Sequence, residues 1–144
     1  MIVIMRHGQA EGYASADHLR NLTPKGRMQA EATAEQLKSV GIERIVHSPY
    51  VRARQTAEEV NKTMSLPMTQ SDDITPEGNA HLVASWLETQ DNVLVVTHMP
   101  FVGELAMALT SGKQPVSFST GVAAIYEKST QGELKLAQVV EPNI

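Results

Sequence analysis

The sequence predicts an α/β fold: a three-layer α/β/α sandwich whose central sheet is mainly parallel and ends in an antiparallel C-terminal hairpin. Three observations predict it. Continuous apolar runs at residues 2–5 and 93–97 read as strands buried on both faces. Helical segments follow the early strands one by one, and that alternation builds a parallel sheet covered on both sides. The last two strand-like segments, 122–127 and 134–140, have only a turn region with Gly132 between them, which gives a hairpin.

Each element has its own signal. Residues 2–5 are Ile-Val-Ile-Met, a first strand. Residues 11–21 read as a polar loop. Thr23-Pro24 is a helix start, with Thr23 as N-cap and Pro24 at the first helical position. That helix, with Met28, Ala32 and Leu37 among its apolar residues, is expected to run to about Val40, with Gly41 as its C-terminal cap. Arg44–His47 is a second short strand. Ser48-Pro49 opens a second helix carrying Ala53, Ala57 and Val60 toward Met64. Residues 65–78 are expected to be irregular, and 79–88 form a third helix with Leu82, Val83, Trp86 and Leu87. Val93–Thr97 is the strongest strand signal, and 100–109 form a fourth helix.

The 144 residues show no repeat, no low-complexity segment and no linker, so one domain covering 1–144 is expected. Without cysteine, neither a disulfide framework nor a thiolate metal site can form. The five apolar residues before Arg6 are too few for a signal-peptide core, and no run is long enough to span a bilayer. A cytoplasmic protein with no membrane association is the expectation. A net charge of −4 argues against general nucleic-acid binding and makes local clusters of arginine informative.

Open parallel sheets bind ligands beyond the carboxyl ends of their strands. Past the first strand lies Arg6-His7-Gly8. Past the second come Ser48-Pro49 and, one turn on, Arg52. Past the third is His98. Two histidines and two arginines thus converge on one sheet edge, a composition suited to phosphoryl transfer. That chemistry is mostly positioning and charge neutralisation. Arginine forks grip phosphate oxygens in pairs, a neutral imidazole in line with phosphorus is a competent nucleophile, and nearby arginines favour that neutral form. Gly8 is expected to leave room for close approach of the ligand, and the N-terminus after Ser48-Pro49 to add backbone donors. Any one of these residues alone would more often be a cap, a satisfied polar group or a solvated charge; their joint placement carries the weight. Arg54, two positions from Arg52 on a helix, faces elsewhere. His47 is expected to be structural, and His18 and His81 to lie on the surface.

Four segments, taken in order, resemble the histidine phosphatase (phosphoglycerate mutase-like) superfamily, and within it the small SixA-type phosphohistidine phosphatases. They are Ile4-Met5-Arg6-His7-Gly8, Arg20-Asn21-Leu22-Thr23-Pro24-Lys25-Gly26, Ser48-Pro49-Tyr50-Val51-Arg52-Ala53-Arg54-Gln55-Thr56-Ala57, and Val96-Thr97-His98-Met99-Pro100-Phe101-Val102-Gly103. The resemblance covers nearly the whole chain. It implies a pocket of Arg6, His7, Arg52 and His98 with His7 phosphorylated, and it alone implies that Arg20 reaches the site. Relatives that act on phosphate esters use a carboxylic acid on the leaving oxygen. Asp73 and then Glu77 are the candidates here, against the simpler reading of two solvated loop carboxylates. A phosphoramidate makes less demand on such an acid, because its histidine leaving group can carry its own proton.

The expected reaction is therefore hydrolysis of a phosphohistidine protein, by resemblance a histidine-containing phosphotransfer domain of a sensor kinase. It would proceed through phospho-His7, with phosphate or another oxyanion as the ligand of the site and with no metal or cofactor. The shortness of the chain, which leaves no room for segments closing over a sugar phosphate, favours a protein substrate. The alternatives are a small-molecule phosphomonoesterase and a non-catalytic phosphate-binding module; retention of both His7 and His98 argues against the second.

Overall fold

The computed structural model describes residues 1–144. The elements run β1 (Ile2–Arg6), α1 (Pro24–Leu37), β2 (Arg44–His47), α2 (Val51–Met64), β3 (Met68–Gln70), α3 (Ala80–Leu87), β4 (Val93–Thr97), α4 (Phe101–Leu109), β5 (Ala123–Lys128) and β6 (Leu134–Val140). The six strands form one sheet in the order β3-β2-β4-β1-β5-β6. β1 pairs in parallel with β4, placing Ile2 opposite Val93 and Arg6 opposite Thr97. β4 pairs in parallel with β2, and β2 with β3. β5 runs antiparallel to both β1 and β6, as the hairpin signal requires.

Strand residues alternate between two cores, which is why the strands read as unbroken apolar runs. Ile2, Ile4, Val93 and Val95 pack with Val83, Leu87, Phe101 and Leu105 of α3 and α4. Val3, Met5, Leu94 and Val96 face the other way, onto Ala30, Ala34, Ala53 and Ala57 of α1 and α2. Alanine on both helices lets them lie close to the sheet and to each other. Each large apolar side chain fully buried here contributes about 2 kcal/mol. No helix is long and apolar enough to cross a membrane.

Four boundaries differ from expectation. β3 lies inside the stretch expected to be irregular; three residues are too few to show a period. α1 ends at Leu37, and the chain turns through Val40 before Gly41, whose φ of +91° suits only glycine without strain. α2 begins at Val51, with Tyr50 at the N-cap, so Ser48-Pro49 precede the helix rather than open it. The 11–21 segment is not featureless. An isolated bridge pairs Ala10 with Leu22 across its base, and Asp17–Leu19 form a 3-10 turn.

Because β2, β4 and β1 are adjacent and parallel, their carboxyl ends share one edge. Ser48, His98 and His7 each follow one of those ends directly.

Candidate active site

Backbone hydrogen bonds carry the sheet one residue further and fix the site's main chain. The His7 N–H donates to Thr97 O at 3.0 Å, and the Ser48 N–H to Val96 O at 3.1 Å. Gly121 N–H donates to both Arg6 O and His7 O, clamping the His7 backbone from the β5 side. Val102 N–H reaches His98 O at 2.7 Å, tying His98 to the first turn of α4.

His7 is 6% exposed. Its Nδ1–H donates to the Gly8 carbonyl at 2.6 Å. That bond leaves Nε2 as the bare lone pair. The Nε–H of Arg52 donates to this same Nε2 at 3.3 Å, so two independent contacts select one tautomer. His98, 1% exposed, has its ring centroid 5.2 Å from that of His7. Its Nε2 lies 2.7 Å from Ser48 Oγ. Ser48 Oγ also accepts from the Tyr50 N–H at 3.2 Å, and a hydroxyl can give its own proton to His98 Nε2, a pairing that leaves the ring hydrogen of His98 on Nδ1.

Burial depresses both imidazoles first. His7 falls to about 4, lowered further by Arg52, Arg6 and Arg20 and partly offset by the bond to Gly8. His98 falls to about 2, from burial, then His7, then the three arginines. The arginine effect expected from sequence is thus present, but second to desolvation. Three buried side-chain polar atoms lack a hydrogen-bond partner. Tyr126 Oη is in the core, whereas His98 Nδ1 and Arg6 Nε both belong to the site. Orphaned buried donors are costly and rare, and an anion's oxygens are what such donors lack. No three His, Cys, Asp or Glu side chains are grouped so as to hold a metal ion.

The arginines differ in their tethers. Arg6 Nη1 donates to Phe118 O at 2.9 Å. Arg52 is 4% exposed, with its guanidinium 4.9 Å above the ring of Tyr50. Arg20 meets no histidine. Its Nε donates to Asp17 Oδ1 at 3.0 Å and its Nη1 to Glu11 O at 3.0 Å, and it reaches the site only through the Asp17 carboxylate it shares with Arg52.

The bare Cα of Gly8 is used differently from the way the sequence suggests. A Cβ there would lie 2.3 Å from Gly26 O, and its N–H donates to Thr56 Oγ1 at 3.0 Å, so packing against α1 and α2 accounts for the glycine. Asp73 is exposed and lines a groove of about 610 Å³ between the 71–78 segment and α3, among residues that include neither His7 nor His98. Glu77 lines the same groove, but its charge also acts on Tyr50, whose phenol is raised first by burial and next by Glu77. Tyr50 in turn has its ring centroid 4.8 Å from that of His98. Arg54 pairs with Glu58 on the surface, and His47, 6% exposed, bonds through Nδ1 to its neighbour's carbonyl. His81 is exposed, and His18, though exposed, sets its edge on Tyr50 at 6.1 Å.

Sequence reasoning missed Ser48 as the partner of His98, Tyr50 as the wall between His98 and Arg52, and Asp17 as the anion between two arginines. Asp17 alone had a readable signal, its place three residues before Arg20.

The profile of the Histidine phosphatase superfamily (branch 1) matches residues 2–75. The phosphohistidine phosphatase SixA of Escherichia coli (strain K12) is 39% identical over 132 residues, spanning 85% of this chain and 82% of that protein. A phosphohistidine phosphatase SixA homolog of Haemophilus influenzae is 38% identical over 133 residues, 81% of each chain. Among solved structures, the protein histidine phosphatase SixA complexed with tungstate superposes with a TM-score of 0.90 at 34% identity, covering 98% of this chain and 96% of that one. By fold, motif order and identity along its length, the chain belongs to the histidine phosphatase superfamily and is a phosphatase.

Proposed function

We propose that the protein is a phosphohistidine phosphatase acting on a phosphorylated histidine phosphotransfer domain, with His7 as nucleophile and no metal. One observation carries the proposal: Nε2 of His7 is a buried free base, its tautomer fixed by Gly8 and its lone pair facing Arg52. The relatives named phosphohistidine phosphatase support the substrate's chemical class.

In the proposed reaction Arg6 and Arg52 hold the phosphoryl oxygens, with Arg20 adding charge at the rim. The orphaned Arg6 Nε–H is a further donor to an oxyanion, as is His98 Nδ1 in the tautomer that accepts from Ser48. As the phosphoryl oxygens take over the Arg52 Nε–H, the His7 Nε2 lone pair is released and attacks phosphorus, the P–N bond to the substrate imidazole breaks, and that imidazole leaves with a proton already on its ring or taken from water. Water then attacks the phosphorus of phospho-His7, giving inorganic phosphate and returning Nε2 to its free-base form. Neither step needs Asp73 or Glu77, because imidazole is a better leaving group than an alkoxide. The positive charge of the arginines does the work that a metal performs in other phosphatases. A cysteine-free chain suits the reducing cytoplasm, where we place the reaction.

The test is phosphate release from a phosphorylated histidine phosphotransfer domain, in chelator, by wild type and His7→Ala. The expected result is turnover by wild type and a loss of at least about a thousandfold in the variant, as for removal of a nucleophile. Activity that disappears in chelator and returns with a divalent ion would overturn metal independence. Hydrolysis of a sugar phosphate but not of the phosphoprotein would replace this substrate with a small phosphomonoester.

A further inference from the structure

We propose that Asp17 is a positioning residue for this reaction: it orients the guanidinium of Arg52 and, through it, the attacking nitrogen of His7. The proposal rests on the reading of His7 as nucleophile and deepens it. Arg52 has three nitrogens, and each has a distinct partner. Nε–H donates to His7 Nε2 at 3.3 Å, Nη1–H to the Asp17 carbonyl at 2.9 Å, and Nη2–H to Asp17 Oδ2 at 3.2 Å. One residue therefore takes one hydrogen from each prong of the fork, which turns the Nε–H toward His7 and leaves a second hydrogen on each prong for a phosphoryl oxygen. Stacking on Tyr50 fixes the guanidinium plane from its face.

An exposed Asp–Arg pair ordinarily contributes little. Here the side chains are unequal: that of Arg52 is 5% exposed and that of Asp17 63%. A buried guanidinium needs a counter-charge, and Asp17 is the carboxylate that forms an ion pair with it. Asp17 is itself held in place. Its other oxygen accepts from Arg20 Nε at 3.0 Å, and Arg20 is fastened to Glu11 O at 3.0 Å. The chain of contacts Glu11–Arg20–Asp17–Arg52–His7 thus runs from the surface loop to the attacking nitrogen. It also gives Arg20 a role that requires no contact with phosphate.

The experiment compares Asp17→Ala and Asp17→Asn in the full chain by kcat on the phosphorylated phosphotransfer domain, by inhibition with tungstate, and by the ¹⁵N resonance of His7 Nε2. Loss of orientation is expected to lower kcat of Asp17→Ala about ten- to a hundredfold. Tungstate should inhibit that variant at least as well as wild type, since the pocket has lost a negative charge, and its Nε2 resonance should shift. Asp17→Asn, whose amide oxygen still accepts from Arg52, should recover part of kcat. Wild-type kcat in Asp17→Ala, or a kcat loss matched by an equal loss of tungstate affinity and a lower Tm, would overturn the proposal. Should Asp17→Ala not fold, wild-type kcat and an unshifted resonance in Asp17→Asn would overturn it as well. If wild type hydrolyses no phosphohistidine protein, the functional reading fails, and the Nε2 resonance still decides the role of Asp17.

Discussion

At the scale of single residues, the site is built around two imidazoles kept neutral by burial. An ordinary histidine titrates near 6.5, whereas His7 is held at about 4 and His98 at about 2. As pH falls through 6.5 the unfolded chain takes up protons at these positions while the native site does not. Proton uptake by the unfolded state destabilises the fold. The two histidines therefore favour folding fully above about pH 6.5, and that contribution is lost as pH falls from 6.5, down to about 4 for His7 and to about 2 for His98. Thermal melts of the ligand-free protein should show Tm declining between pH 7.5 and 5, with a shallower decline in His7→Gln. A Tm that holds flat across that interval would show that the histidines are not buried as described. The sequence carried these residues in its motifs, because both histidines sit directly after strands. It was silent on Ser48 and Tyr50. Their roles depend on which side chains the fold brings within 3–5 Å, and no local pattern encodes that.

At the scale of elements, the entry of α1 matters as much as the strands. Gly8 and Gly26 face each other across the loop that carries His7. A Cβ on Gly26 would lie 2.0 Å from Gln9 O, which is backbone and cannot step aside. Thr23 N–H donates to Gln9 O and Gln9 N–H to Gln29 Oε1, so the loop and the first turns of α1 move together. Gly26→Ala is expected to cost about 3 kcal/mol and to lower activity by displacing His7. Gly103→Ala, on α4 with only the tip of Met99 nearby at 3.5 Å, should stabilise by up to about 1 kcal/mol. Paired chemical denaturation curves check both, and equal midpoints for the two variants would contradict the packing described. The helix starting at Thr23-Pro24 was legible because its cap is local: Thr23 Oγ1 accepts from Gly26 N–H at 3.0 Å. The edge strand β3 was not, since Met68–Gln70 is defined by pairing to Ile45–His47 and not by its own composition.

At the scale of the whole molecule, the decisive feature is the strand order. β1 and β2 follow each other in the chain but do not touch; β4 lies between them and pairs with both. Buried strands alternating with helices made the layered fold legible, because each such strand must be covered on both faces. The order within the sheet was not, because several orders satisfy the same pattern of burial. A chain ending at Asn92 retains β1, α1, β2 and α2 but lacks the strand that joins them. Its far-UV circular dichroism and amide dispersion are expected to be those of an unfolded chain, and a folded spectrum would show that α1 and α2 alone hold the sheet's halves together.

On the ribosome, this order imposes a delay. His7 is made almost at once, yet about fifty more residues must follow β2 before β4 exists, some 3–10 s at ordinary elongation rates. Throughout that interval β1 and β2 are apolar ribbons with open edges, the form most easily captured by a neighbouring nascent chain. Slowing elongation across the stretch between β2 and β4 is therefore expected to lengthen the exposure of those edges.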